Sequence, residues 1–254
     1  MTDIPEKVER ETILDFLKGE TPRSYIADNF PKYCAQVYIA RFLSRAELFK
    51  QIINVSGSIV ECGVGNGSGL LSWYQLSKLL EPHNRRRIIY GFDTFSGFPS
   101  VHPKDGDDHQ AGDQHYPVLD DIQRSIAMQS QNWIMMQHDQ TNWIRPKRFF
   151  MTHPWAHIQL IEGDFRETGS AFLKANPHVV ISMLYLDFDL YAPTAHALNI
   201  FRDRMPKGAI VAFDELDHPD WPGETLALLE GIGIRNLELK RFPWEPTLAY
   251  AVMS

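Results

Sequence analysis

The segment IVECGVGNGSG, residues 59–69, joins a short apolar run to a stretch whose apolar residues follow helical spacing. Within it, glycines stand at positions 63, 65, 67 and 69. Glycine tolerates positive φ angles and lets the backbone approach a ligand closely, and the N-terminus of the following helix offers free N–H groups. The dinucleotide fingerprint GxGxxG needs its third glycine three residues after the second, where this chain has Ser68 or Leu70, depending on the starting glycine. The segment therefore predicts a strand, turn and helix that hold a nucleotide-like cofactor, in a spacing that disfavours a nicotinamide dinucleotide.

Short apolar runs and helical stretches alternate from about residue 58 onward, which is typical of a parallel sheet covered by helices. The predicted strands cover residues 58–62, 88–92, 157–161, 179–187 and 209–213. The predicted helices cover residues 69–80, 167–175, 194–204 and 224–229. Residues 237–242 and 247–253 are separated by so short a loop that they should form an antiparallel hairpin. We predict an α/β fold with a doubly wound, mostly parallel, seven-stranded Rossmann-like sheet and a C-terminal antiparallel hairpin.

Two regions lie outside this alternation. Residues 1–55 are helical in pattern, most clearly at 40–53, and we expect an N-terminal helical cap or a subunit interface of a homo-oligomer. Residues 96–156 are too long for a plain connection, and we expect an insertion of helical segments and a mobile lid. The remaining chain, 56–254, is then one cofactor-binding domain that carries this lid insertion.

Composition limits the classes of partner. The formal charge of −7 at pH 7 would repel a phosphate backbone, so we expect no nucleic-acid partner. No apolar run is long enough to span a membrane, and the first residues carry charges where a signal peptide needs an apolar stretch. Only two cysteines occur, Cys34 and Cys62, which argues against a disulfide scaffold or a zinc site. We therefore expect a cytoplasmic protein without a membrane partner.

Acidic residues follow the second and third predicted strands. Asp93 ends the second strand, where a carboxylate can accept hydrogen bonds from the two hydroxyls of a ribose. Asp164 follows the third strand, at the same edge of the predicted sheet. The alternative is that both acids only cap helices or turns.

Four more acids follow the next two strands: Asp187 and Asp189 after one, Asp214 and Glu215 after the other. The carboxyl ends of parallel strands meet at one edge of a sheet, so these side chains should converge. So much negative charge needs protons or a cation, and oxygen-only ligands favour Mg²⁺ or Ca²⁺. We predict Asp187, Asp214 and Glu215 as metal ligands and Asp189 as the base, the alternative being that some of these acids cap the following helices.

At this point the sequence resembles a known family, the metal-dependent sugar O-methyltransferases typified by macrocin O-methyltransferase. The resemblance rests on VECGVGNGSG at 60–69, FDTFSGFP at 92–99, YLDFDLYAPT at 185–194 and AFDE at 212–215. It implies Asp187 as a metal ligand, Asp189 as the base, and the paired acids Asp214 and Glu215 as further ligands. The departures from the family pattern are Phe188 in place of a glycine, Glu215 in place of an aspartate, and Gly65-Asn66-Gly67 where an aromatic-basic pair is common.

The family resemblance also implies the cofactor and the reaction. The expected cofactor is S-adenosylmethionine, and the residues expected to bind it are Glu61, Gly63, Gly65, Gly67, Ser68, Asp93, Thr94, Asp164 and Asp187. The expected reaction is methylation of a sugar hydroxyl, on a nucleotide-linked deoxysugar or on a glycosylated natural product. A catechol-type O-methyltransferase is the nearest alternative, followed by a nicotinamide-dependent oxidoreductase and a non-catalytic binding protein. A histidine of the insertion is the alternative base, from the set His102, His109, His115 and His138.

Overall fold

The computed structural model describes residues 23–115, 118–140 and 157–254. The strands are β1 (Ser58–Cys62), β2 (Ile89–Asp93), β3 (Ile158–Glu162), β4 (Ile181–Leu186), β5 (Ile210–Phe213), β6 (Lys240–Phe242) and β7 (Glu245–Val252). The α-helices are α1 (Arg23–Asp28), α2 (Phe30–Tyr33), α3 (Gln36–Ile52), α4 (Ser68–Leu80), α5 (Leu119–Gln140), α6 (Phe165–Ala175), α7 (Tyr191–Phe201) and α8 (Pro222–Glu230).

Within the described residues, seven strands form one sheet in the order β3-β2-β1-β4-β5-β7-β6. The first five strands pair in parallel, and β7 pairs antiparallel with both β5 and β6. The predicted doubly wound, mostly parallel sheet with its C-terminal hairpin is therefore confirmed. The order of strands reverses between β1 and β4, and ligands bind outside the carboxyl ends of the strands at such a point.

Helices cover both faces of the sheet because successive residues of a buried strand point to opposite sides. All five residues of β1 are buried. Ile59 packs in the cluster that holds α3 and α4, whereas Val60 packs in the cluster on the other face, with Phe172 of α6 and Phe201 of α7. The apolar run that the sequence shows at β1 is thus the centre of a three-layer molecule.

Helix α3 extends the predicted helix at 40–53 by one turn at its N-terminal end. It packs against α4 and β7 and buries Leu48, Phe49 and Ile52 completely. Residues 1–22 of the predicted N-terminal cap lie outside the described residues, and a role in oligomer formation stays a prediction. No helix of the described ranges has the length and hydropathy needed to cross a membrane.

The described part of the insertion, 96–115 and 118–140, packs on the domain at two places. Asp105, in the short 3-10 helix Pro103–Asp105, is 1% exposed. Ile122 and Ile126 of α5 belong to the core, and a β-carbon on Gly67 would lie 2.7 Å from Cγ1 of Ile122. The insertion therefore supports the glycine loop, while its predicted segments at 116–117 and 141–156 lie outside the described residues.

Two predicted boundaries near the sheet edge were wrong. Strand β4 ends at Leu186, not at residue 187, and α7 begins at Tyr191, not at residue 194. Proline is tolerated in the first turn of a helix, where the N–H groups have no partner within the helix, so Pro193 does not delay the start of α7. The loop between β4 and α7 is consequently only four residues long, 187–190, and it carries both acids.

Candidate functional site

A cavity of about 570 Å³ opens at the carboxyl ends of the strands, where the strand order reverses between β1 and β4. Its size is that of a small-molecule site. The residues that line it come from α3, from the glycine loop, and from the segments that follow β2, β3, β4 and β5. Eight of the nine predicted cofactor residues lie on its wall: Glu61, Gly63, Gly65, Ser68, Asp93, Thr94, Asp164 and Asp187.

The glycine loop has this sequence because of close backbone contacts. Gly63 has φ of 89°, and a β-carbon there would overlap the carbonyl group of Asp187. A β-carbon on Gly69 would overlap Oε1 of Glu61, so the first turn of α4 lies directly on that carboxyl group. Gly67 adopts φ of 83° before the helix and faces Ile122, behind the cavity wall. The loop is therefore fixed against β1, the segment after β4, and α5, and its open side faces the cavity.

Asp93 anchors the glycine loop to the end of β2. Its Oδ2 accepts hydrogen bonds from the N–H groups of Val64 at 2.8 Å and Gly65 at 2.9 Å, and its Oδ1 accepts one from Phe95 at 2.7 Å. Thr94, beside it, donates from its hydroxyl to the carbonyl oxygen of Gly97 at 2.6 Å. A carboxylate oxygen can accept a further hydrogen bond, so Asp93 can hold the loop and still accept from a ligand in the cavity.

Asp164 caps helix α6, which was the alternative to a role in cofactor binding. Its carboxylate accepts from the N–H of Arg166 at 2.9 Å and forms an ion pair with the guanidinium of the same residue. These hydrogen bonds from Arg166 lower the pKa of Asp164. Because Asp164 also lines the cavity, capping α6 does not remove it from the site.

The predicted acids after β4 and β5 all line the same cavity. Asp214 is 3% exposed, accepts a hydrogen bond from the hydroxyl of Tyr185, and pairs with Arg41 at 3.2 Å. Burial, followed by the charges of Asp214 and Asp189, raises the pKa of Asp187 well above its usual value. Oε2 of Glu215 is buried without a hydrogen-bond partner. The mutual repulsion of carboxylates that the sequence predicted at this edge of the sheet is therefore present.

Asp189 lines the cavity with a backbone conformation that differs from that of an extended strand. It lies after the end of β4 and has φ of 62°, a left-handed conformation that a residue with a β-carbon seldom adopts. Burial, and then the charges of Glu215 and Asp214, raise the pKa of Asp189 to about 8. Neither Asp187 nor Asp189 belongs to strand β4, which ends at Leu186, although both line the cavity.

Glu224 is a site residue that the sequence did not reveal. It is fully buried in the first turn of α8. Its Oε1 accepts from the N–H groups of Phe188 at 3.1 Å and Asp189 at 3.4 Å, and its Oε2 accepts from that of Glu215 at 3.4 Å. Glu224 therefore joins the two acid-bearing loops, but an acid in the first turn of a helix signals only a favourable dipole position, so its sequence context hid this role.

Arg41 and Arg45 of α3 were also missed. They are the cationic side chains on the cavity wall within the described residues. The guanidinium carbon of Arg45 lies 5.1 Å from the ring centre of Tyr185 and 5.9 Å from that of Trp73. Their spacing of four residues predicts one helix face, but nothing in the sequence shows that this face would close the cavity.

Asp105 ties the insertion to the loop between β4 and α7. Its Oδ2 accepts from the N–H of His102 at 2.7 Å and its Oδ1 from that of Tyr191 at 2.6 Å. A β-carbon on Gly223 would lie 2.5 Å from Oδ1 of Asp105 and 2.8 Å from the carbonyl oxygen of Asp189. This close junction requires glycine at 223 and fixes the start of α7.

Within the part of the chain that the structure describes, the geometry supports neither a histidine base nor a preformed metal site. No histidine of the described residues lines the cavity, and His109 instead stacks on Trp221 with ring centres 3.9 Å apart. The side chain of His138 lies outside the described residues. Across 23–115, 118–140 and 157–254, no three side chains of histidine, cysteine, aspartate or glutamate are arranged as a metal-ligand set. Hard oxygen donors and the unpartnered Oε2 of Glu215 fit a divalent cation in chemistry, but ligation would need side-chain movement.

Comparisons with known proteins agree with this architecture. The model of the family described as Macrocin-O-methyltransferase (TylF) matches residues 40–223. The crystal structure of the calicheamicin methyltransferase CalS11 is 32% identical, with a TM-score of 0.86, over 99% of this chain and 94% of that chain. The apo structure of CalS11, named there as a TDP-rhamnose 3'-O-methyltransferase, is 31% identical, with a TM-score of 0.73, over 99% of this chain and 96% of that chain.

The O-methyltransferase NovP, at 20% identity and a TM-score of 0.55 over 85% of this chain and 80% of that chain, shares the fold. A comparison with curated protein sequences gave no match. The family match spans most of the chain and includes the glycine loop, Asp93 and the acids after β4 and β5. The chain therefore belongs to the macrocin O-methyltransferase family, and it is an O-methyltransferase that takes its methyl group from S-adenosylmethionine.

Proposed function

We propose that the chain methylates a hydroxyl group of a sugar, and that the acceptor is a nucleotide-linked deoxysugar. The observation that carries this proposal is the similarity to CalS11 over nearly the whole of both chains, since CalS11 is named as acting on TDP-rhamnose. Similarity over the full length includes the insertion and α3, which border the cavity, and not only the cofactor-binding half.

The cofactor would lie along the glycine loop, with its adenosine at the β2 and β3 side. Asp93 faces the cavity beside Gly65, where its carboxylate can accept from ribose hydroxyls. Asp164 lines the cavity after β3, on the side suited to the adenine. A cofactor held in this way would direct its methyl group toward the acid-bearing loops after β4 and β5.

Asp189 is the proposed base, because its carboxyl group lines the cavity and its backbone is fixed by Glu224. In the proposed reaction the acceptor oxygen attacks the methyl carbon in line with the carbon–sulfur bond. The electron pair of the breaking bond stays on sulfur and yields S-adenosylhomocysteine, and the hydroxyl proton passes to the Asp189 carboxylate. The contribution of the chain is mainly alignment of the two substrates.

A divalent cation, Mg²⁺ or Ca²⁺, is the second part of the proposal. The residues that would hold it are Asp187, Asp214 and Glu215, which supply the hard oxygen ligands that such ions prefer. A cation held there would lower the pKa of a hydroxyl group that it contacts. For Asp214 this requires exchange of its ion pair with Arg41, whose side chain is 38% exposed.

The test is a transfer assay with purified protein, S-adenosylmethionine and a panel of acceptors, read by mass spectrometry as the gain of one methylene unit. TDP-rhamnose and related nucleotide sugars are compared with glycosylated natural products and with catechols. We expect turnover on nucleotide sugars, and loss of turnover in Asp189→Asn while S-adenosylhomocysteine still binds. Methylation of catechols with no reaction on any sugar would overturn the acceptor class. Full activity of Asp189→Asn would overturn only the base assignment.

A further inference from the structure

Helix α3 borders the cavity with a row of aromatic and cationic side chains. Tyr38, Arg41, Phe42 and Arg45 all line the wall, and their spacing of three and four residues puts them on one face of the helix. Arg45 is buried, whereas Tyr38 and Phe42 are 51% and 40% exposed. This face of α3 therefore runs from the buried floor of the cavity, at Arg45, to its open mouth, at Tyr38.

The charges on the wall decide where an anionic group of the acceptor can lie. Among the described residues, seven acids and two arginines line the cavity. Arg45 is already matched by an acid, because its Nη2 and Oε1 of Glu61 both lie against the place that a β-carbon on Gly69 would take. The side chain of Arg41 is 38% exposed and lies nearer the mouth. An anion that enters the cavity is therefore repelled least beside Arg41.

Arg41 has donors for a second anion although it is paired. Its Nη2 lies 3.2 Å from Oδ2 of Asp214. A guanidinium group carries five N–H donors in one plane, so a single ion pair leaves part of the group available. A phosphate group fits the remaining edge, because guanidinium groups donate parallel hydrogen bonds to phosphate oxygens. Asp214 thus holds a phosphate-binding group next to the acids of the site.

The order of side chains along α3 matches the order of groups along a nucleotide-linked sugar. The sugar hydroxyl that reacts has to lie near Asp189, and a diphosphate on the same sugar then falls beside Arg41. Tyr38 lies three residues further toward the mouth, about 4.5 Å along the helix axis, where the nucleoside would follow. Exposed aromatic rings bind a nucleobase by stacking, because every base has a π-face. A catechol has no group that needs a cation at this place.

We infer that α3 recognises the nucleotide part of the acceptor: Arg41 binds the diphosphate, and Tyr38 and Phe42 stack on the base. The inference rests on the proposed function, and it adds the residues that would select a nucleotide-linked sugar over other acceptors. It also explains why two large apolar side chains stay exposed at the mouth of an acidic cavity, since exposed apolar patches mark binding sites.

The test is calorimetric titration of the full chain with thymidine diphosphate, TDP, in the presence of saturating S-adenosylhomocysteine. TDP carries the base and the diphosphate and lacks the sugar, so its affinity reports the contacts assigned to α3. We expect the unmodified protein to bind TDP. Arg41→Met should weaken this binding about 10- to 100-fold, the range for a hydrogen bond to a charged group. Tyr38→Ala should weaken it about 5- to 100-fold, the range for loss of stacking on one base, whereas Tyr38→Phe keeps the ring and should stay within about twofold.

Arg202→Met and Tyr25→Ala are the matched controls, because both residues are exposed and neither lines the cavity. They should bind TDP as tightly as the unmodified protein. The affinity for S-adenosylhomocysteine should be the same in all variants, since the assigned contacts are made to the acceptor alone. If Arg41→Met does not fold, as judged by thermal unfolding, Arg41→Lys replaces it. Lysine keeps the charge beside Asp214 but lacks the planar fork, so this variant should also weaken TDP binding.

Absence of TDP binding, or binding that is unchanged in both Arg41→Met and Tyr38→Ala, would overturn the inference. The proposed function would still stand if nucleotide sugars are methylated, and it would fall as well if none is. A loss in Arg41→Met alone would overturn the stacking role of Tyr38. A changed oligomeric state of Tyr38→Ala, measured by sedimentation, with unchanged TDP affinity would also overturn that role, by assigning the aromatic face to a second copy of the chain.

Discussion

Asp93 serves the glycine loop and the cavity at once. Its carboxylate accepts hydrogen bonds from the N–H groups of Val64 and Gly65, and it also lines the cavity. We expect Asp93→Ala to weaken S-adenosylhomocysteine binding about 10- to 100-fold, because the loop loses its anchor and the ribose loses an acceptor. Asp93→Asn, which keeps one acceptor oxygen, should lose less.

Calorimetric titration measures this effect. Glu162→Ala is the matched control, since Glu162 pairs in register with Asp93 on the neighbouring strand and is exposed. An Asp93→Ala variant that binds S-adenosylhomocysteine as tightly as the control would show that the ribose assignment is wrong.

Glu224 supports the left-handed backbone conformation of Asp189, because its carboxylate accepts a hydrogen bond from the Asp189 N–H. A carboxylate can accept from three N–H groups, but a carboxamide must turn its NH₂ group toward at least one of them. We expect Glu224→Gln to release one acid-bearing loop and to lower kcat about 10- to 100-fold, since small misplacements of reacting groups cost that much. Binding of S-adenosylhomocysteine should be unchanged, because Glu224 does not line the cavity.

The measurement for Glu224 is kcat and cofactor affinity on the same preparation. Glu238→Gln makes the same chemical change at a side chain that is 83% exposed, and it should have no effect. A second readout is amide hydrogen exchange, which should accelerate at Phe188 and Asp189 in Glu224→Gln only. Unaltered kcat and exchange would refute the positioning role.

At the scale of elements, the insertion is coupled to α7 through one carboxylate. Asp105 accepts from His102 in its own turn and from Tyr191 at the first turn of α7. Asp105→Asn keeps only one of these acceptors, so we expect the free energy of unfolding to fall by about 1 to 2 kcal/mol, the usual cost of a lost helix cap. Urea unfolding measures it, with the exposed Asp108→Asn in the same segment as the control. Equal stabilities would mean that the junction adds nothing.

The elements themselves were predictable where local pattern and burial agree. Strand β1 was predicted with its observed bounds, because a short apolar run before a glycine turn has few other structures. The start of α7 was not predictable in this way. The helix begins before Pro193, and the N–H of its first residue is bonded by Asp105, a residue 86 positions away in the chain. Caps supplied from a distant segment leave no local signal, which is why the loop 187–190 was predicted too long.

At the scale of the whole molecule, site residues that follow from local pattern and strand topology could be predicted from the sequence. Site residues that depend on contacts between distant segments could not. The acids after β4 and β5 could be placed together because parallel strands deliver their carboxyl ends to one edge. Arg45 and Glu224 reach the site through the packing of α3 and α8 on the sheet. Helical spacing gives the face of a helix but not what that face will contact, so these two residues needed the structure.

The concentration of acids at the carboxyl edge of the sheet predicts that the protein depends on a divalent metal ion. Asp187, Asp214 and Glu215 repel one another, and a bound cation would relieve that repulsion only in the folded state. Mg²⁺ at about ten times its dissociation constant should then stabilise the protein by about 1.4 kcal/mol, a rise of about 3 to 5 °C in Tm. EDTA should abolish methyl transfer while S-adenosylhomocysteine still binds. Asp187→Asn should lose the rise in Tm, and NaCl at matched ionic strength should not reproduce it. Full turnover in EDTA, with no change of Tm on adding Mg²⁺, would show that the acids act without a metal and that the carboxyl groups of this edge share protons instead.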